Sequence, residues 1–143
     1  MATNPYFDPN GRPRIDFELS NPLGWSRPVA ALIDTGFNGF ISLAINQAFP
    51  IGLLLRGTMS VTLADGNTHA KLYCLGGARF EGEYKVGIVL IEFLSDIALV
   101  GMEFLRVFSR ELLVNLISGT VTLNKVVPPT SPAIPAPPSS SKP

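Results

Sequence analysis

The residues most suited to carrying out a chemical reaction form the tripeptide Asp34-Thr35-Gly36, which lies between two apolar runs. Residues 30–33 are apolar and predict a buried strand that ends at Asp34, while Gly36 predicts a turn directly after it. No Lys or Arg occurs at residues 28–55, so the local sequence offers no cation to the carboxylate. Burial without a positive partner disfavours the charged form of a carboxyl group, which favours a catalytic role. The alternative interpretation is a turn aspartate that caps its own loop.

A family resemblance rests on this loop and on a second motif further along the chain. Residues 34–43, Asp-Thr-Gly-Phe-x-Gly-Phe-x-x-Leu, resemble the retropepsin-like single-domain aspartic proteases, most of all their bacterial branch. The family's second motif is two apolar residues and a Gly before a short helix, and Leu99, Val100 and Gly101 match it. The two motifs together, at about the family's spacing, are stronger evidence than either one alone. The resemblance spans residues 14–126.

The resemblance implies a role for each motif residue. The implied catalytic residues are Asp34, Thr35 and Gly36, with the Thr35 hydroxyl reaching the loop of a second subunit. The implied substrate contacts lie beside this loop and at the tip of a flap hairpin: Phe37, Asn38, Asp65, Gly66 and Asn67. The implied supporting residues, packed beneath the loop, are Leu99, Val100 and Gly101.

The mechanism implied by the resemblance needs two carboxyl groups, because one takes a proton from water while the other gives a proton to the substrate. The chain contains one Asp-Thr-Gly loop and no internal repeat of it. A homodimer that shares two Asp34 side chains and hydrolyses a peptide or protein substrate is therefore expected. The family builds part of its interface from terminal strands, and here the last strand presents Val121 and Leu123 on one face. The alternative is a non-catalytic dimeric peptide-binding or interaction module with the same fold.

The sequence departs from the retroviral members of the family in the supporting ion pair. Those enzymes carry a small residue after Asp-Thr-Gly, then an acidic residue, and an Arg after the downstream Gly. The corresponding positions here hold Phe37, Asn38 and Met102, so both partners of the ion pair are missing.

Composition excludes several other classes of protein. The 143 residues provide for one domain with a modest core, and 46% hydrophobic with 15% charged residues is typical of a packed globular chain. The formal net charge is +0, so the chain lacks the excess of positive charge that is typical of nucleic-acid-binding proteins, and no nucleic-acid partner is expected. The chain has a single cysteine, Cys74, and no evident secretory signal or apolar run of membrane-spanning length. We therefore expect a cytoplasmic location and no membrane partner.

The sequence lacks the residues needed for a metal site, a Ser-His-Asp triad or a phosphate-binding loop. One His69 and one Cys74 do not supply a closed set of metal ligands. A Ser-His-Asp triad would have to use His69, and the chain has no Gly-x-Ser-x-Gly segment. Gly76-Gly77 is not followed by the Gly-Lys-Ser/Thr of a phosphate-binding loop. We expect neither a metal nor another cofactor.

Alternating apolar and polar residues predict a chain made mostly of short strands. The strands are predicted at residues 14–20, 28–33, 41–43, 57–64, 68–75, 77–80, 84–93, 95–101, 112–117 and 120–126. Short helices are predicted at residues 44–49, ended by Pro50 and Gly52, and at 102–108. The pattern favours an all-β fold, and the resemblance specifies a single-domain closed β-barrel with one or two short helices and a flap hairpin.

The chain divides into three predicted parts. Residues 1–13 are predicted to form an irregular arm, and residues 14–126 the protease-like domain. Residues 127–143 are rich in Pro and Ser and are predicted to be a disordered tail, for which a plain linker is favoured over a polyproline ligand.

Overall fold

The computed structural model describes residues 4–127. Apart from residue 127, the predicted tail lies outside the described residues. The described part contains ten strands and two short helices. In chain order they are β1 (Tyr6–Phe7), β2 (Pro13–Ser20), β3 (Ser26–Ile33), β4 (Ile41–Ala44), α1 (Ile45–Ile51), β5 (Leu55–Thr62), β6 (Thr68–Phe80), β7 (Glu83–Glu92), β8 (Ala98–Val100), α2 (Met102–Val107), β9 (Arg110–Asn115) and β10 (Thr120–Lys125).

Six of the strands close into a barrel in the order β2-β3-β8-β4-β7-β6, and pairing between β2 and β6 makes the closure. Strand β1 extends the sheet beyond β2, strand β5 extends it beyond β6, and β9 and β10 form a separate two-stranded sheet. The pairs β3–β8 and β4–β7 are parallel, whereas the hairpins are antiparallel. The predicted all-β closed barrel with two short helices is confirmed.

The barrel closes around side chains that the alternation of the strands points inward. In β2, Ile15, Phe17 and Leu19 are buried, while the intervening Asp16 and Glu18 are exposed. Both helices add apolar residues to this core. One end of it is a cluster of aromatic rings with centroids 4.6 to 6.4 Å apart, formed by Phe17, Phe40, Phe80, Phe104 and Phe108.

Three local predictions differ from the structure. Tyr6–Phe7, predicted to be irregular, pairs with β2 as a short strand. Of the two residues predicted to end α1, Pro50 does not end it, because the helix continues to Ile51; Gly52 does, in the left-handed conformation with its N–H directed at the carbonyls of Ala48 and Phe49. Strand β8 is shorter than predicted, because only Ala98–Val100 finds a neighbour in the sheet.

Strand β6 replaces two predicted strands with one. Gly76, which the predicted bounds left between the strands at 68–75 and 77–80, and Gly77, the predicted start of the second, are in register with Gly87 and Val86 of β7. A Cβ at Gly77 would collide with the side chain of Tyr84, so the glycine makes room for a neighbouring ring and does not break the strand.

The last strand also differs from expectation. Val121 and Leu123 are 8% and 7% exposed, and Leu123 belongs to the hydrophobic core. The two residues share one face, as the alternation predicts, and this face packs inward and does not form an exposed surface. The exposed apolar residues of this hairpin lie on β9 and in the turn: Leu113, Val114, Leu116 and Ile117.

Within residues 4–127, no helix is long and apolar enough to span a membrane.

Candidate active site

Asp34 lies where β3 leaves the barrel. Ile33 pairs with Val100 in the parallel β3–β8 ladder, and the Asp34 N–H donates to the Val100 carbonyl over 2.9 Å. The backbone of the aspartate is therefore fixed by a strand from the far half of the sequence. The predicted strand does lead into Asp34, but it is buried on one face only, since Val29, Ala31 and Ile33 are buried while Pro28 and Ala30 are exposed.

The Asp34 carboxylate is half-buried and faces the exposed part of the loop. Its Oδ1 accepts a 2.9 Å hydrogen bond from the Gly36 N–H, while Thr35 and Gly36 themselves are exposed. No other hydrogen bond reaches this carboxylate within residues 4–127, and none of the ion pairs there involves it. A carboxylate has two oxygens and accepts several hydrogen bonds, so Asp34 retains acceptor capacity toward solvent or a ligand.

The loop after Asp34 is held by the start of α2. Three successive backbone N–H groups donate to carbonyl oxygens of the loop: Gly101 to Phe40 over 3.2 Å, Met102 to Phe37 over 2.8 Å and Glu103 to Gly39 over 3.1 Å. The first N–H groups of a helix have no partner within the helix, so the loop satisfies donors that would otherwise be unpaired.

Gly101 allows this close approach. A Cβ at Gly101 would collide with the carbonyl oxygens of Phe37 and Gly39, although the backbone conformation of Gly101 is one that any residue adopts. Gly39 is constrained in a similar way, since a Cβ there would lie 2.5 Å from the Phe37 ring. Phe37 thus packs across two glycines and fixes the path of the loop. Leu99 pairs with Leu32, and the Val100 carbonyl accepts the Asp34 N–H, so both residues lie beside the end of β3 that leads into the loop.

The predicted hairpin tip has no hydrogen bond to the Asp34 loop within residues 4–127. Asp65, Gly66 and Asn67 are exposed, and their hydrogen bonds are local: the Asn67 N–H donates to Asp65 Oδ1 over 2.8 Å and the Asn67 side chain donates to Oδ2 over 2.9 Å. It is the strand before this tip that approaches the loop. Met59 of β5 and Asn38 of the loop line a common pocket.

Residues of this region that sequence reasoning missed include Gly39, Met59, Glu103 and Val107. The spacing of Gly36 and Gly39 on either side of Phe37 was a signal for a second close approach. Met59 and Val107 carried no signal, because a strand or helix pattern shows which residues share a face and not which loop that face meets. Within the described residues there is no cluster of three or more His, Cys, Asp or Glu side chains arranged to hold a metal ion.

The closed barrel, with the Asp-Thr-Gly loop at the end of β3 and the short helix after β8, has a retropepsin-like fold. The structure is similar to that of the EIAV protease complexed with the inhibitor HBY-793, with a TM-score of 0.59 and 13% identity over 76% of this chain and 98% of that chain. It is also similar to a retropepsin-like aspartic protease from Rickettsia conorii, with a TM-score of 0.53 and 16% identity over 78% of this chain and 82% of that one. No protein-family model matches the sequence, and no curated protein matches it. The predicted retropepsin-like fold is confirmed.

Proposed function

We propose that the protein is an aspartic endopeptidase whose site combines the Asp34 loops of two copies. The observation that carries this proposal is the Asp34 carboxylate, which is held by the Gly36 N–H at the end of a barrel strand and has no ionic partner within residues 4–127. The two similar structures are both proteases, which supports the proposal through the shared fold.

The proposed chemistry uses the two carboxyl groups as an acid–base pair. Two carboxyls held a few ångströms apart share one proton, because both cannot carry a charge at that distance. The ionised carboxylate takes a proton from a water molecule while the water oxygen attacks the scissile carbonyl carbon. The protonated carboxyl donates its proton to the carbonyl oxygen. Collapse of the tetrahedral diol then breaks the C–N bond: the carboxyl that took the proton from water gives it to the leaving nitrogen, and the other carboxylate takes a proton from a diol hydroxyl, which restores the shared proton. The β5–β6 hairpin is proposed as the flap that covers the substrate.

The second carboxyl is proposed to come from a symmetric partner. Thr35, proposed to contact the partner's loop, is exposed, and so is the apolar tip of the β9–β10 hairpin, where Ile117 is 98% exposed. A slot of about 650 Å³ separates residues 4–7 from residues 119–124. Unpaired strand edges beside an exposed apolar hairpin are suited to pairing with another chain.

The proposal is tested by incubating the full chain with an unfolded protein and a peptide library at acidic to mildly acidic pH. Wild type is expected to cleave, and Asp34→Asn is expected to lose roughly 10²–10⁴-fold in rate, the usual contribution of acid–base catalysis. Asp96→Asn makes the same change at an exposed aspartate outside the site and should retain activity. Cleavage by Asp34→Asn at the wild-type rate would remove Asp34 from the mechanism. Peptide binding without cleavage by wild type would favour the alternative, a non-catalytic binding module.

Dependence of activity on a dimer is tested by mixing wild type with an inactive variant, by substituting exposed residues of the β9–β10 hairpin, and by measuring activity at several protein concentrations. A ten-fold excess of Asp34→Asn should lower wild-type activity to about a tenth, because most wild-type chains then pair with an inactive copy. Leu113→Asp combined with Ile117→Asp should give a folded, inactive monomer, since both side chains are exposed. Sedimentation with circular dichroism separates loss of assembly from loss of folding. A monomer with full activity at every concentration would overturn the shared site.

A further inference from the structure

A second pocket, of about 350 Å³, lies at the end of β3 opposite the Asp34 loop. It is lined by residues of four strands and of the β2–β3 turn: Glu18, Ser20, Gly24, Ser26, Arg79 and Tyr84. Binding sites for whole small molecules begin at roughly 300 Å³, so a pocket of this size holds a short part of an extended ligand. The proposed peptidase chemistry makes no use of this pocket.

Two exposed aromatic side chains belong to this region. The Tyr84 ring lies across the backbone of β6, where Gly77 has no side chain, and the Tyr84 hydroxyl is 3.2 Å from Ser20 Oγ. Tyr84 is nevertheless 46% exposed. Trp25, in the turn that borders the pocket, is 70% exposed, and its N–H donates to Asn21 Oδ1 over 3.0 Å. Both rings are therefore held by fixed backbone and remain available to a ligand.

The charges of the pocket balance each other. Arg79 and Glu18 are opposite in the β2–β6 register, yet neither takes part in an ion pair within residues 4–127. Glu18 accepts a 3.4 Å hydrogen bond from the Ser26 hydroxyl, and the Arg79 guanidinium lies 5.2 Å from the centroid of the Tyr84 ring. Glu18 repels a free anion, so the N–H donors of Arg79 suit a neutral ligand that is rich in hydrogen-bond acceptors.

The sequence after β10 has the composition of such a ligand. Residues 128–141 include no charged residue, and four prolines recur at every third position: Pro129, Pro132, Pro135 and Pro138. A polyproline II helix has three residues per turn, so this spacing would place the four prolines on one edge. Proline has a carbonyl acceptor but no N–H, and aromatic-lined grooves are a known mode of binding Pro-rich segments.

The end of β10 lies close to the pocket. Lys125, its last residue, donates from Nζ to Glu83 Oε1 over 2.7 Å, and Glu83 directly precedes Tyr84 in β7. A polyproline II helix extends about 3.1 Å per residue, so residues 129–138 would cover roughly 30 Å. This length is sufficient to cross the pocket without the help of a second chain.

We propose that residues 129–138 dock in this pocket of their own chain as a polyproline II helix. The edge with four prolines lies on Tyr84 and Trp25, and backbone carbonyls of the helix accept hydrogen bonds from Arg79. Composition alone favours a plain linker for these residues, whereas the pocket favours a ligand. Docking leaves the Asp34 loop uncovered, so the segment is a built-in ligand that a Pro-rich segment of another protein would have to displace.

The test uses the full chain, with the amides of the pocket residues followed by NMR and the single tryptophan, Trp25, by fluorescence. Pro132→Ala with Pro135→Ala removes two prolines of the docking edge and is expected to change both signals. Pro128→Ala with Pro137→Ala makes the same number of changes away from that edge and should leave both signals close to wild type. Equal changes from the two pairs, or no change from either, would overturn the proposal.

A synthetic peptide of residues 128–142 measures the same contact from outside the chain. It should bind the Pro132→Ala, Pro135→Ala protein at the pocket, and wild type at least about ten-fold more weakly, because the attached segment competes at an effective concentration in the millimolar range. Adding Arg79→Gln to that protein should weaken the peptide about ten-fold. Arg27→Gln, at an exposed arginine that does not line the pocket, should not.

The remaining outcomes would overturn the proposal. No peptide binding at millimolar concentration, or shifts confined to another surface, would show that the pocket is not a site for this segment. Wild-type signals that change with protein concentration, and approach those of the Pro132→Ala, Pro135→Ala protein on dilution, would assign the docked segment to a second copy and exclude docking within one chain.

Discussion

Asp8 and Asp34 begin the same kind of turn, but their carboxylates have different surroundings. Each accepts a 2.9 Å hydrogen bond from the backbone N–H two residues further on, at Asn10 and Gly36. Asp8 also accepts the N–H of Arg12 and is bound at its other oxygen by the Arg12 and Arg14 side chains, at 3.2 and 2.8 Å. Asp34 has none of these additional partners within the described residues.

The difference separates a structural carboxylate from one that is available for chemistry. The hydrogen bond from Arg14, with those from the Arg12 and Asn10 backbone, holds the pKa of Asp8 well below its usual range. Such a group stays ionised at the pH values where proteins work, so it does not transfer protons. Asp34 keeps unoccupied acceptor positions and is held by backbone contacts alone, which leaves its charge open to a substrate, a water molecule or a second carboxyl.

The largest effect on stability and activity is expected from a substitution at Gly101, where the start of α2 contacts the Asp34 loop. Gly101→Ala places a methyl group against the Phe37 and Gly39 carbonyls, and such overpacking costs about 1–3 kcal/mol of unfolding free energy. Peptidase activity should be lost with it, because the loop must move. Gly11→Asn in the Asp8 turn is the control: Gly11 has a φ of 76° with open space around it, and Asn tolerates that conformation. Activity in Gly101→Ala equal to wild type would show that α2 does not position Asp34.

A smaller effect is expected when the two aspartates are neutralised. Asp8→Asn should lower the urea midpoint of unfolding, because Arg12 and Arg14 lose the carboxylate that pairs them. Asp34→Asn should unfold close to wild type, since the Asn side-chain oxygen still accepts the Gly36 N–H. If Asp34→Asn were the more destabilised of the two, the assignment of structural and chemical roles would be reversed.

The smallest effect is expected in how the free energy of unfolding falls as the pH becomes acidic. The pKa of Asp8 is lowered in the folded chain from an unfolded value of about 3.9, so its contribution is fully present above that value and is lost as pH falls through the folded pKa. Wild type should therefore lose stability below about pH 4 more steeply than Asp8→Asn. Glu83, whose pKa is lowered by Lys125 and Arg110, contributes in the same direction to both proteins and cancels in the comparison. If wild type and Asp8→Asn lost stability equally steeply at acidic pH, Asp8 would not be paired in solution.

The sequence predicted those features that depend on neighbouring residues. Alternation in residues 14–20 located β2, and the apolar run before Asp34 located the Asp34 loop at a strand end. The burial of Val121 and Leu123 was not predictable, because alternation defines a face without showing whether it meets the core or solvent. The contacts of Gly39 and Gly101 with the Phe37 segment join residues that are distant in sequence, so no local pattern specifies them.

The parallel pairing of β3 with β8 also determines when the Asp34 loop can form during folding. It joins Ile33 to Val100, almost half the chain away, whereas β5–β6 and β6–β7 are hairpins of neighbouring residues. Non-local pairings close large loops and form slowly compared with hairpins. A nascent or refolding chain that has formed its hairpins still lacks the Val100 acceptor for Asp34, so the proposed peptidase is inert until its slowest contacts are complete.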